Sequence, residues 1–315
     1  MHVQSALPAV PRSPSRRTGV VPCTDACASR TVLAVETVGY LVPRTPFTGR
    51  VHSVFAQACN VACNGTLLTL CTWRVGIGPL TVRLAGGGPQ DLREWLEVGE
   101  RIDADPGCLR ARRAELRWAQ AAVWRPAGSA RALLDDAQIH ARLRLAGTRL
   151  ARFRRAHPSI IDGDGAAVTA ALRESCRTLD GAQAALQVGR LIGWGEGLTP
   201  SGDDFLVGML AGLDALVQVD PRRGPFRDAL AATIIGCVGR TTAISAHCLR
   251  LAAGGHLGEP LVRLREALIA EPQGDGVDDA LRTALAVGAT SGADTVSGLL
   301  AGLAAWTATA PAHAA

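Results

Sequence analysis

The chain contains no lysine, and arginine supplies all 33 of its basic side chains. A Walker-type phosphate loop, whose lysine reaches the terminal phosphates of a nucleotide, is thereby excluded. Aromatic residues are scarce at 4%, with a single tyrosine among 315 residues. Aliphatic helix packing is therefore expected rather than an aromatic-rich sandwich, and the stacking platforms of nucleic-acid binders are missing. The net charge of +5 is modest, and Arg12, Arg16, Arg17 and Arg30 against Asp25 place most of it in the first thirty residues. The remainder is near neutral, so no nucleic-acid partner is expected.

No stretch approaches eighteen uninterrupted apolar residues, which excludes a membrane-spanning helix on sequence grounds. The N-terminus also lacks the continuous apolar segment of a signal peptide, and residues 1–30, rich in Pro, Ser and Arg, read as a disordered leader. The nine cysteines are odd in number and scattered, which fits reduced thiols in a cytoplasmic protein. Cys23/Cys27 and Cys59/Cys63 lack the second Cys or His pair of a structural zinc site. Arginine clusters at Arg110, Arg112, Arg113 and Arg117, and at Arg142, Arg144, Arg149, Arg152, Arg154 and Arg155, read as solvated helix faces or subunit contacts.

What is present is 48% hydrophobic residues in a length that suits two domains. Short β-like segments at 31–42, 51–55, 67–75 and 80–84 are punctuated by Asn64-Gly65, Gly76-Ile77-Gly78-Pro79 and Gly86-Gly87-Gly88-Pro89. They predict a small antiparallel β domain over 31–125, with 109–124 open between helix and strand. From about residue 130, apolar periodicity predicts nine helices, at 130–156, 166–178, 182–192, 203–218, 225–238, 242–253, 260–270, 277–287 and 293–308. The fold class is α+β, with a β-rich domain followed by a helical domain over 126–315.

The densest signal is Gly193-Trp194-Gly195-Glu196-Gly197-Leu198-Thr199-Pro200-Ser201-Gly202-Asp203-Asp204. It combines a glycine loop, a helix start with Ser201 as N-cap, and two carboxylates in the first turn. Ninety residues later Ser291-Gly292-Ala293-Asp294 begins a segment that aligns without a gap onto 201–213, identical at eight of thirteen positions. The Ser-Gly pair, the aspartates 204 and 294, and the glycine pairs Gly208/Gly212 and Gly298/Gly302 all recur, which predicts an internally duplicated loop-helix motif. Glycines four apart lie on one helix face and permit close packing, so the two copies are expected to pack together and bring both Ser-Gly-x-Asp termini to one site.

Unpaired amides at helix N-termini suit a phosphate or carboxylate, with Gly195, Gly197, Thr199, Ser201, Gly202, Asp203, Ser291 and Gly292 as candidate contacts. The aspartates have a bland role as helix-dipole partners and a functional one. Asp204 and Asp294 either hold a divalent cation, Mg2+ being the candidate, or accept a proton from a substrate nitrogen. Between the copies, Arg240, Thr241, Thr242, Ser245 and His247 combine a guanidinium, hydroxyls and an imidazole near a helix start. Arg240 suits bidentate binding of an anion, the threonines either cap or bind, and His247 is either structural or catalytic, two turns beyond Arg240. Gly49 to Phe55 and Asn60 carry the most polar chemistry of the β region, with His52 on the face opposite Val51.

The signature at 193–208, Arg240-Thr241-Thr242 with Ser245, and Ser291-Gly292-x-Asp294 with Gly298 resemble the AllH-type family, long catalogued as a domain of unknown function. The resemblance spans about residues 35–308 and includes the strand at 49–55 and Asn60. It implies a subunit of oxamate carbamoyltransferase, working with companion subunits to move a carbamoyl group between carbamoyl phosphate and oxamate in allantoin and purine breakdown. Both substrates are small anions. Asp204 as the proton acceptor is an inference from the residues and not from the family. Two alternatives stay open: a noncatalytic subunit of a larger complex, and a metal-dependent enzyme acting on a phosphorylated metabolite.

Overall fold

The computed structural model describes residues 30–127, 133–270 and 276–307. The leader expected at 1–30 lies, apart from Arg30, outside the described residues. Nine strands come first: β1 Thr31–Gly39, β2 Phe47–Val54, β3 Ala58–Cys63, β4 Thr66–Cys71, β5 Thr81–Leu84, β6 Arg101–Asp105, β7 Cys108–Arg110, β8 Ala114–Arg117 and β9 Ala122–Trp124. They hydrogen-bond in the order β5-β4-β3-β2-β6-β7-β8-β1, and a further pairing of β5 with β1 closes eight strands into a barrel. Closure removes free sheet edges, while β9 continues along the second half of β1.

The expectation of an antiparallel domain is corrected here. β1 runs parallel to β8 and β9, and β4 runs parallel to β5. The return segment 72–80 is long enough to bring the chain back alongside β4 in the same direction, which a two-residue hairpin cannot do. Asn64-Gly65 does form such a hairpin turn, with φ of 48° and 75°, the left-handed pair that this turn type demands. Cys59, Val61, Leu68, Leu70, Val82, Ile102, Leu109 and Leu116 fill the barrel. Burial pushes the Cys59 thiol up to about 12, so it behaves as a small apolar side chain there.

The helical part contains α1 Asp136–Arg154, α2 Ala166–Thr178, α3 Gly181–Leu191, α4 Ser201–Leu216, α5 Arg223–Cys237, α6 Ala243–Ala253, α7 Glu259–Ile269, α8 Val277–Leu285 and α9 Ser291–Trp306. α1 starts later than periodicity suggests because Asp135 and Gln138 close a capping box at its head. No described helix is long and apolar enough to cross a membrane. A second apolar cluster, separate from the barrel, forms around α4 and α9 with Leu206, Met209, Leu210, Leu299 and Leu303 fully buried.

The α4/α9 pair fixes the site. A Cβ on Gly208 would lie 1.9 Å from the Thr295 carbonyl oxygen, and a Cβ on Gly298 would lie 1.9 Å from that of Phe205. Gly212 and Gly302 repeat the relation at 2.5 Å, against the Leu299 and Met209 carbonyls. Contacts advance in the same direction along both helices, so α4 and α9 run parallel and their N-termini lie at the same end. Any side chain at these glycines would force the backbones apart.

The barrel docks on the helices through a few polar contacts. The Tyr40 hydroxyl meets His256 Nδ1 at 2.8 Å, the Thr66 hydroxyl meets His247 Nδ1 at 3.1 Å, and the Glu259 amide donates to the Ile77 carbonyl at 2.8 Å.

Gly298→Ala is expected to cost about 3 kcal/mol or more, or to prevent folding, because its methyl meets backbone rather than a movable side chain. Gly147→Ala, in open space within α1, is expected to gain roughly 0.5–1 kcal/mol. Urea denaturation of the two variants reads the difference, and coincident midpoints would refute the contact.

Candidate functional site

The loop before α4 owes its shape to three glycines with positive φ, at 73° for Gly193, 122° for Gly195 and 88° for Gly197. Two also need the room: a Cβ on Gly193 would sit 2.5 Å from the Arg240 carbonyl oxygen, and one on Gly195 2.6 Å from the Ser201 nitrogen. Ser201 is not the N-cap. Pro200 occupies that position, its carbonyl accepting from the Asp203 and Asp204 amides at 2.9 and 3.1 Å, and Ser201 is the first helical residue with no side-chain cap. Gly202 lies against the Leu191 carbonyl and Gly292 against that of Ala284, where a Cβ would come within 2.1 and 2.2 Å. Their amides donate to Trp194 and Val287 carbonyls at 2.8 and 2.9 Å. These two amides are therefore engaged within the loops.

Asp203 is fully buried and holds the loop to α6. Its carboxylate accepts from the Gly193 amide at 2.9 Å, from the Ser245 hydroxyl at 2.7 Å and from the Thr241 hydroxyl. Thr242, rather than Thr241, caps α6, accepting from the Ser245 amide at 3.1 Å while its own hydroxyl donates to the Leu198 carbonyl at 2.5 Å. These four polar residues brace the glycine loop from behind.

Asp204 and Asp294 occupy equivalent places in the first turns of α4 and α9, each with a buried Oδ2 that finds no partner among the described residues. Their heads touch directly: the Thr199 and Ser291 hydroxyls hydrogen-bond at 2.7 Å. Asp294 Oδ1 accepts from Arg154 Nη2 at 2.5 Å and from the Ser159 hydroxyl at 2.6 Å. Asp204 has no such cation among the described residues. Burial pushes its carboxyl up to about 8, hydrogen bonds from Ser291 and Thr199 hold it lower than burial alone would, and the charges of Asp294 and Asp203 raise it further.

Three carboxylates thus share one region by three different means. Asp203 is compensated by three donors and Asp294 by an arginine, while Asp204 is neutralised by its own proton below about pH 8. A protonated Asp204 is a hydrogen-bond donor at the head of two parallel helices, beside the part-exposed Thr199, Ser201 and Ser291.

Arg154 and Ser159 are site residues that sequence reasoning missed, and the solvated-face reading of Arg154 is corrected. Its side chain is 8% exposed, paired with Asp294 and, at 2.9 Å, with Asp162. The signal was in the spacing: Ile139, Ala146, Leu150 and Arg154 form one buried stripe of α1. Arg240 and His247 do not share a helix face as their spacing suggested, because Arg240 ends a short 3-10 turn, Val238–Arg240, before α6 begins. The Arg240 side chain is exposed and passes over Gly189 of α3. His247 instead lines a cleft against the barrel, and burial with the nearby Arg250 charge pushes its imidazole down to about 4. Asn60 is spent within the barrel, donating to the Ser53 hydroxyl at 3.0 Å and accepting from Thr69 at 2.9 Å. Among the described residues no group of three or more His, Cys, Asp or Glu converges to hold a metal ion.

A family model described as oxamate carbamoyltransferase subunit AllH matches residues 191–303, a span that begins before the glycine loop and runs through most of α9. A second, described as the AllH family N-terminal domain, matches residues 30–123, which takes in the barrel. No solved structure matches the chain.

The raised Asp204 carboxyl has a consequence for stability. The folded chain holds this proton more tightly than the unfolded chain, so its contribution is full below pH 3.8 and is lost as pH rises to about 8. Asp204→Asn keeps the neutral shape at every pH. Its melting temperature is expected to gain on that of the unsubstituted protein by at least about 5 °C between pH 5 and pH 8. Parallel pH dependence of the two melting curves would remove the assignment.

Proposed function

The chain belongs to the AllH family, and from that premise we propose that it is a subunit of an oxamate carbamoyltransferase whose chemical centre includes the paired heads of α4 and α9. Companion subunits complete the enzyme. The observation that carries this reading is the buried, cation-free Asp204 carboxyl with its proton affinity near neutrality. We further infer that the two loop-helix units arose by duplication and are related by a local twofold axis along the α4/α9 seam. The reciprocal contacts Gly208 to Thr295 and Gly298 to Phe205 support that inference.

Carbamoyl transfer joins the oxamate nitrogen to the carbamoyl carbon as the bond from that carbon to the phosphate oxygen breaks. The nitrogen must lose a proton, and as an amide nitrogen it is a poor nucleophile unless a base takes that proton in the transition state. Ionised Asp204 accepts it. In the opposite direction phosphate attacks the carbamoyl carbon, and protonated Asp204 returns the proton to the departing nitrogen. A carboxyl near pH 8 populates both forms around neutrality, whereas an ordinary aspartate has almost no protonated form there. The small anionic substrate is held by the hydroxyls of Thr199, Ser201 and Ser291, and by the Asp204 proton when present. Asp203, Thr241, Thr242 and Ser245 keep the loop in place, and Arg154 restrains the charge of Asp294.

With the companion subunits assembled, Asp204→Asn is expected to lower kcat by about 10²–10⁴ with assembly unchanged. In the direction that consumes oxamate, activity of the unsubstituted enzyme rises with pH toward about 8 and then levels, while the residual activity of the variant does not follow that curve. Full turnover by Asp204→Asn would place the chemistry in a companion subunit and leave this chain a supporting role.

A further inference from the structure

A cleft of about 930 Å3 opens between the barrel and α6, on the side of α6 reached by His247 and Thr241. Its volume lies within the range of small-molecule sites. Its basic side chains are Arg50 and His52 from β2, Arg101 from β6, and His247 and Arg250 from α6, with no carboxylate in the lining. Composition does not impose this, because the chain has 28 acidic residues against its 33 arginines. The rest of the chain shows the usual outcome, with arginines such as Arg93, Arg177 and Arg222 bridged to nearby carboxylates.

The three arginines differ in how far they are committed. Arg101 is bridged to Asp103 at 2.9 Å, and Arg50 gives one N–H to the Gly99 carbonyl at 3.0 Å. Arg250 has neither an ion pair nor a hydrogen bond among the described residues. Its charge is exposed at the cleft wall and also depresses the protonation of His247. The Thr66 hydroxyl fixes His247 through Nδ1, which leaves Nε2 as the ring's remaining hydrogen-bonding atom. Thr241 and Ala243 line the same wall, so the head of the eleven-residue α6, capped by Thr242, adds the positive end of its dipole. No Phe, Tyr or Trp is among the lining residues, which leaves nothing for a nucleobase to stack on.

We propose that this cleft is an anion site that takes the phosphate group of a small organic phosphate, with Arg50 and Arg250 as its charged ligands and His247 as a neutral one. Guanidinium groups match phosphate oxygens in paired, charge-assisted hydrogen bonds, and Arg250 is uncommitted for that purpose. Identifying the occupant as the acyl phosphate donor rests on the proposed function. The anion site itself rests only on the cleft.

Calorimetry on the full chain with inorganic phosphate, carbamoyl phosphate and polyglutamate tests it. Both phosphates are expected to bind, and Arg50→Ala/Arg250→Ala to weaken them by at least about tenfold with an unchanged melting temperature. Arg250→Gln, at an exposed position, serves if the double variant does not fold, and is expected to weaken binding in the same direction. The proposal falls if phosphate fails to bind at about 10 mM, if the arginine variants bind it undiminished, or if polyglutamate alone binds, which would make the cleft a seat for an acidic protein segment. Loss of transfer in Asp204→Asn with undiminished phosphate binding in the arginine variants would sink the cleft and keep the function. Arginine-dependent phosphate binding with normal turnover in Asp204→Asn would do the reverse.

Discussion

Backbone-to-backbone contact between α4 and α9 is the constraint on which the site depends. Four glycines remove the side chains that would hold two helices at an ordinary distance, and the carbonyls of one helix pack where the Cβ atoms of the other would be. Because the helices run parallel, this contact sets their first turns side by side, and Thr199 reaches Ser291 as a result. Burial of two aspartates at that junction follows from the same contact. A helix pair spaced by leucines would leave both carboxylates more room for water and closer to ordinary behaviour.

That burial would be costly if all three carboxylates at the junction were ionised without compensation. The chain resolves it locally. Asp203 receives donors from a loop amide and two hydroxyls, and in doing so ties α4 to α6. Asp294 receives Arg154 from α1. Among the described residues Asp204 has neither the three donors of Asp203 nor the arginine of Asp294, and burial raises its carboxyl. A group whose proton is exchangeable near neutrality is thus produced by what its two neighbours have and it lacks.

Much of the helical part was legible in the sequence because apolar residues recur at helical spacing over ten or more positions. The segment 166–178 coincides with α2, and the other predicted helices differ from the observed ones mainly at their ends, with α1 beginning later where Asp135 caps it. The barrel was less legible. β7 and β9 are three residues each, and β3 alternates too weakly to mark itself, with Cys59, Asn60 and Val61 all buried in succession. Parallel pairing left no local trace either, since register between distant strands is set by the closed barrel and not by any one segment. At the site, the Ser-Gly-x-Asp corners and their companions Thr241, Thr242 and Ser245 stood out by composition. Which of them brace and which face the site did not, because that depends on hydrogen bonds such as Gly202 to Trp194 that no motif records. Arg154 was hidden by its company, a run of arginines of which only it falls on the buried stripe.

The two aspartates also bear on what a pair of matching helices within one chain allows. In a homodimer built around a twofold axis, every substitution appears twice, so both copies of a buried acid must share one fate. Here Asp204 and Asp294 stand at matching positions, yet α1 delivers Arg154 to one of them alone. On the proposed duplication, covalent linkage frees each half to drift independently, and a place that symmetry would have kept uniform holds an arginine-paired acid on one side and a labile proton on the other.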